Sequence, residues 1–445
     1  MSSYREAILP PPPLPSSGNG GASASPTPLS CVLLDDRGYI ADDRRNHTTA
    51  YATTRDGGQF HASFFLADPP LVSYFCVSHP RAVGPSSKSA AEFRRDPYCI
   101  ASEAGLVLLS ANHSSFQMQD YYAGLLRYGG DRGGYIIAVL QGTAYVGLGP
   151  TALGICIFDS KTNAWSKRPA AFDKQPRWQR EEVRPKINSV ITIGGTAGTM
   201  AFVEPNGIIF CDVLTAESPV PLRYVPFPPS FLTNEWISHH RITSSMAMCR
   251  DVAVVRGRIR YIEIEMYIRE VFPFNWGCGV EGVISDGWTA VMWSMADYSG
   301  DWHKDAEIHS HEVSTVDDDG NTVAGFELLP TLRDDNGTPQ PTLERMHIGH
   351  PTISLCDDDV VYLIAKVERK DPEGWVIALD TRKKRLQGVV EYPGTARHRS
   401  LEGSYTRCTI SQYLSVAPVI VDEAQPTKRR RKRSTRYPQK DWVTR

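Results

Sequence analysis

Short apolar runs separated by turn residues recur along most of this chain. Residues 251–255, the Arg256-Gly257 turn and residues 258–265 read as a β-hairpin. A strand opening at Gly287 and Trp288 and another over residues 302–308 complete a four-strand unit. The same order returns over residues 353–356, 360–367, 374–380 and 385–392, with Asp357, Asp358 and Asp359 in the first turn. Between Tyr261 and Ile262 the apolar–polar alternation slips, which fits a strand packed on both faces, or a bulge. Asp159, Asp212 and Asp380 each close an apolar strand before a polar turn.

More strands are expected over residues 59–66, 71–77 and 105–110, and near Tyr135, Gly154, Ser189, Met200 and Ile208, whereas residues 90–95 make at best one helical turn. The pattern predicts an all-β, β-propeller-like domain of about five to six four-stranded blades. It spans residues 31–418, between a disordered Pro/Ser/Gly-rich leader over residues 1–30 and a disordered basic tail over residues 419–445. In such a domain Trp165, Trp288 and Trp375 are interior packing.

Charge divides the chain unevenly. The net charge is −2, yet residues 427–445 hold nine Lys and Arg against one acid, leaving the rest at −10. An acidic body is a poor match for phosphates, so nucleic acid is expected only nonspecifically, through the tail. The 9 cysteines have no CxxC spacing, which argues against a zinc finger or a thioredoxin-like site. Cys156, Cys211 and Cys356 sit in apolar patterns as small buried hydrophobes. With no secretory signal, a reducing compartment is expected, nucleus or cytoplasm. The uncharged stretch over residues 133–158 is long enough to span a bilayer, but six glycines and Pro150 interrupt it, so it reads as two buried strands and no membrane contact is expected.

Two segments resemble a plant family called domain of unknown function 1618. One runs from Asn206 through Cys211-Asp212 to Leu222-Arg-Tyr-Val-Pro226 and Pro229; the other from Cys249-Arg-Asp-Val-Ala-Val-Val255 to Ile264, followed by Trp293 and by Trp302 to Asp305. Residues 46–50, residues 67–73 and Ala164-Trp165 are similar to it as well, so the resemblance spans residues 31–415. Where the family places tryptophans before its Gly-Ile-Leu strand, this chain has Phe202, Pro205 and Asn206. The resemblance implies a kelch-like or F-box-associated-like β architecture and brings no catalytic residue and no activity.

Each candidate constellation is measured against what its chemistry demands. Lys428, Arg429, Arg430, Arg431, Lys432 and Arg433 repel one another, stay solvated and match the acidic groove of an import receptor. His309 and His311 would share one face of a strand, but zinc needs a further ligand that cannot be named. Asp317, Asp318, Asp319 and Gly320 fail the calcium-loop spacing, and with Asp357 to Asp359 they read as tight turns. Gly194 to Gly198 lacks the Lys-Ser/Thr of a phosphate cradle and reads as a turn. Cys249 with His239 or His240 forms a conceivable dyad, without any sign of thiol activation. Phe272, Phe274 and Trp276 lie between the second and third strands of their unit, and Tyr298 and Trp302 between the third and fourth; aromatic residues on such loops can anchor a partner.

The expected role is a non-catalytic protein-interaction scaffold with one or more protein partners and no cofactor or metal. The alternatives are a substrate-recognition subunit of a ubiquitin ligase and a hydrolase-like enzyme using a central pocket. No GxSxG or HExxH motif occurs in the chain.

Overall fold

A computed structural model describes residues 11–12, 29–53, 58–78, 96–110, 122–130, 133–143, 152–174, 186–229, 248–271, 282–332, 338–339, 342–394 and 405–414. The leader and tail, apart from residues 11–12 and 29–30, and residues 90–95 lie outside them. The described chain is all-β, with brief helical turns.

It opens with β1 (Val32–Asp35), β2 (Tyr39–Ile40), β3 (Ala50–Thr53), β4 (Gln59–Phe65) and β5 (Val72–Val77), and then the hairpin of β6 (Tyr98–Glu103) and β7 (Leu106–Ser110). There follow β8 (Gly124–Tyr128), β9 (Gly134–Thr143), β10 (Ala152–Asp159) and β11 (Ala164–Phe172), and β12 (Ser189–Gly194), β13 (Thr199–Glu204), β14 (Gly207–Asp212) and β15 (Val220–Pro226). A third group is β16 (Arg250–Val255), β17 (Arg258–Val271), β18 (Gly282–Met295) and β19 (His303–His309). After the short helix α1 (Thr342–Arg345) come β20 (His347–Ile353), β21 (Val360–Lys366), β22 (Trp375–Asp380), β23 (Arg385–Glu391) and finally β24 (Tyr405–Cys408).

β16 to β19 and β20 to β23 are antiparallel four-stranded meanders, the two units read from the sequence. β8 to β15 instead join in one eight-stranded sheet, because β11 pairs in parallel with β15 through Ala170 and Val220. Its end strands β8 and β12 touch, and the Thr192 hydroxyl donates to the Leu125 carbonyl at 2.5 Å, so the sheet is nearly closed and barrel-like. β1 pairs with β24 on one side and β5 on the other, uniting the first and last strands in one sheet. The first strands of successive groups also lie side by side, β6 by β8, β8 by β12, β12 by β16 and β16 by β20, and the last strand β24 lies by β20.

Residues 133–158, too interrupted for a membrane span, supply β9 and β10, paired from Ala152 and Thr143 to Asp159 and Ile136. Among the described residues no helix is long and apolar enough to cross a membrane. Along β21 and β22 every residue is buried, as two-faced packing demands, and the same core takes in Ile262, Ile264 and Trp288 from the neighbouring sheet. The strand-ending aspartates cap their turns. The Asp380 carboxylate accepts the Arg382 and Lys383 amides at 3.0 and 2.7 Å, and that of Asp159 accepts the Lys161 amide at 2.9 Å.

Several expectations need correction. The first strand of the last meander is β20, ahead of residues 353–356; Gly349, Pro351 and a left-handed His350 (φ 51°) break its apolar pattern, and the register shifts there. Ser354 instead starts a turn, its hydroxyl accepting the Cys356 and Asp357 amides at 3.2 Å. Trp165 is not interior: it is 38% exposed, beside Phe158 with ring centroids 5.5 Å apart, whereas Trp288 and Trp375 are buried. Cys356 is half-buried and disulfide-bonded to Cys31, with Cα atoms 6.3 Å apart, and Cys156 is also half-buried.

Candidate functional site: two aromatic loops around β18

β17 and β18 are each 14 residues long, twice the length of β19 at 7. Their neighbours stop early. β16 pairs only as far as Glu263, and β19 only as far as Thr289. Past that point the hairpin continues through Met266 and Trp288, Ile268 and Ser285, Arg269 and Ile284, Glu270 and Val283, to Val271 and Gly282. Among the described residues no third strand pairs with this extension. The six residues from Met266 to Val271 carry the chain about 17 Å, at roughly 3.3 Å per residue.

A bulge marks the base of the extension, with Tyr267 on one strand and Asp286 and Gly287 on the other. Gly287 has φ 125°, and a Cβ there would stand 2.9 Å from the Ser310 Oγ, so glycine is required by both conformation and space. The base is braced by α1. The indole N–H of Trp288 donates to the Leu343 carbonyl at 3.0 Å, the Ser285 hydroxyl to the Glu344 carbonyl at 3.0 Å, and Arg345 to the Ser285 carbonyl at 3.2 Å and the Asp286 carboxylate at 2.5 Å. Tyr267 is 45% exposed and Ile284 37% exposed. Phe272, Phe274 and Trp276 fall in the connection between the two strands, outside the described residues.

At the other end of β18, residues 296–302 turn back onto the eight-stranded sheet. Tyr298 has φ 58°; its ring meets Phe210 at 5.8 Å and its carbonyl accepts Arg223, which also lies over the Phe210 ring at 4.7 Å. The Trp302 indole N–H donates to the Pro226 carbonyl at 2.9 Å, and its ring lies 6.2 Å from Phe227 and 5.9 Å from Tyr261. Phe227 stacks on Tyr261 at 4.3 Å. Beneath them Arg250 donates to Glu263 at 2.6 Å and to the Pro205 carbonyl at 2.8 Å. Tyr298 and Trp302 are thus part of a clasp between two sheets, at the other end of β18 from Tyr267 and Ile284. Phe210, Arg223 and Phe227 complete the clasp; the proline-flanked Phe227 was the one sequence signal for it.

Residues 205–362 match the family described as protein of unknown function (DUF1618). The matched segment runs from the turn before β14 into β21, so it spans both the hairpin and the clasp, and it supports the resemblance carried by the β15 and β16 strings. No curated protein matches the chain. A solved structure described as a polysaccharide lyase of a new family, an ulvan lyase, is similar at 8% identity and a TM-score of 0.26, over 82% of this chain and 85% of that one, too low to transfer fold or activity.

The remaining candidates resolve locally. His309 Nδ1 bonds the Thr289 hydroxyl at 2.9 Å, which in turn meets the Tyr267 hydroxyl at 2.9 Å, and its ring stacks on His311 at 5.5 Å. Among the described residues no three His, Cys, Asp or Glu side chains converge as metal ligands. Asp317 accepts the Asp319 and Asn321 amides at 2.9 and 2.8 Å, and Asp357 the Asp359 amide at 3.0 Å, as tight turns do. Gly194, Gly195 and Gly198 form the β12–β13 turn, all with positive φ. Burial pushes the Cys249 thiol up to about 11, away from nucleophile chemistry; His239 and His240 lie outside the described residues. Burial also lifts the Glu103 carboxyl to about 7. Lys428, Arg429, Arg430, Arg431, Lys432 and Arg433 lie outside the described residues.

Proposed function

We propose that this protein is a non-catalytic protein-interaction scaffold, and that the β17–β18 hairpin is its contact element. The observation that carries the reading is the hairpin's extension past both of its neighbouring strands on a base fixed by Trp288, Ser285 and Arg345. A rigid base lowers the entropy lost when aromatic side chains at the far end are captured. Phe272, Phe274 and Trp276 supply the residue types that dominate interface energetics. The rest of the domain serves as mount. We read it as a propeller-like ring in which each group of strands is a blade; the side-by-side first strands and the β1–β24 pairing support this arrangement. The segment from Lys428 to Arg433 adds an import signal that directs the scaffold to the nucleus.

Proximity labelling with the full chain tests the contact element. Partners recovered by the wild type are expected to be lost from a Phe272→Ala/Phe274→Ala/Trp276→Ala chain; identical partner sets from both would refute the assignment. Replacing the six cations with alanine is expected to move a fluorescent fusion toward the cytoplasm, and an unchanged distribution would remove the import role.

A further inference from the structure

The first described strand and the last are joined at a seam. Four residue pairs connect β1 to β24, from Val32 and Cys408 to Asp35 and Tyr405. Just before β1 the Ser30 carbonyl accepts the Gln412 side-chain amide, and Leu29 and Leu414 pack on the core of this sheet. Just before β1, too, stands Cys31, whose partner Cys356 lies 325 residues away in the β20–β21 turn. The Cα separation of 6.3 Å lies within the span that a disulfide bridges.

This pair differs from the other described cysteines. Cys76, Cys99, Cys211 and Cys408 are buried inside a sheet, and Cys156 and Cys249 are half-buried, but Cys31 and Cys356 are the pair among the described residues that is joined by a disulfide. Cys356 is half-buried on a turn beside exposed Asp357, reachable by a small reagent, while Cys31 is buried. An accessible thiol and a shielded partner, placed where the first and last described strands pair, make a bond that a small reagent can reach from the Cys356 side.

We propose that Cys31 and Cys356 are a redox-responsive latch, which fastens β1 to the β20–β21 turn when oxidised and leaves the β1–β24 seam to its hydrogen bonds when reduced. The oxidant is a low-molecular-weight disulfide. The Cys356 thiolate attacks one of its sulfurs, forming a mixed disulfide and releasing one small thiolate, which takes up a proton. The Cys31 thiolate then attacks the Cys356 sulfur and releases the second small thiol. Two protein thiols are oxidised and one small disulfide is reduced to two thiols. A small thiol in excess reverses both steps.

The test uses the full chain equilibrated in mixtures of oxidised and reduced glutathione, alkylated and digested without reduction. A peptide linking Cys31 to Cys356 is expected to appear and disappear with the glutathione ratio. Amide hydrogen exchange in β1 and β24 is expected to be at least about tenfold slower in the oxidised chain, with β13 and β14 unchanged. Cys356→Ala is expected to exchange like the reduced wild type at every ratio. Because the main comparison is between two redox states of the wild type, it stands even if that variant folds poorly. Absence of the linked peptide at all ratios, or its formation with equal exchange at the seam, overturns the latch.

Discussion

The connections at the two ends of β18 are alike in composition and opposite in placement. The one before it carries Phe272, Phe274 and Trp276; the one after it carries Tyr298 and Trp302. Both look like partner anchors in the sequence. Tyr298 and Trp302 spend much of their surface on Phe210, Phe227 and Tyr261 in this same chain, and the Trp302 N–H is already committed to Pro226. The earlier connection begins where β17 and β18 have outrun β16 and β19. Aromatic content alone therefore does not tell a contact within the chain from a proposed contact with a partner; the length of the flanking strands is the observation that separates the two connections.

The most damaging way to break this contrast is to remove the base that the hairpin stands on. Trp288 is 1% exposed and donates to Leu343, so Trp288→Ala is expected to cost about 3–5 kcal/mol in denaturant unfolding and to abolish partner capture with it. A loss under about 1 kcal/mol would mean that the base is not fixed by this residue. Trp302→Ala should be milder, about 2 kcal/mol, because the ring is only half-buried, and partner capture by the folded fraction should persist. If Trp302→Ala instead left stability untouched and lost the partner, clasp and contact element would have to change places. The triple replacement of Phe272, Phe274 and Trp276 should show the reverse profile: stability within about 0.5 kcal/mol of wild type, and capture at least about tenfold weaker.

How much of this was legible in the sequence follows from which signals are local. Turn chemistry is local, so Asp159, Asp212 and Asp380 correctly marked strand ends, and Gly194 to Gly198 a turn. The slip in alternation at Tyr261 and Ile262 told of two covered faces, and Ile259 and Tyr261 do enter one core while Ile262 and Ile264 enter another. β20 was displaced because Gly349, His350 and Pro351 interrupt its pattern, and tolerance for such an interruption comes from the register shift against β21, a tertiary property. The parallel β11–β15 junction and the Cys31–Cys356 pair join residues remote in sequence, and no local pattern announces either. For the candidate site, residue types were legible but partners were not: nothing near Trp302 in the chain names Pro226, Phe227 or Tyr261.

The smallest expected effect probes the turn that folds the clasp back. The Ser299 hydroxyl and amide hold the Asp297 carboxyl below its usual range, with the amide at 3.1 Å, so the ionised form is favoured in the folded state. A depressed carboxylate contributes its stability above the unfolded value, near 3.9 for aspartate, and loses it as pH falls through the lower folded value. Asp297 is fully exposed, so the contribution is local and small. Hydrogen exchange over residues 297–302 should therefore quicken, relative to its intrinsic rate, as pH drops below about 4. Asp297→Asn should show faster exchange in that loop at neutral pH and no further step in acid, with Tyr267 and Ile268 unaffected. If exchange in the hairpin rose together with that in the loop, the two ends of β18 would be one cooperative unit, and the division of labour between clasp and contact element would fail.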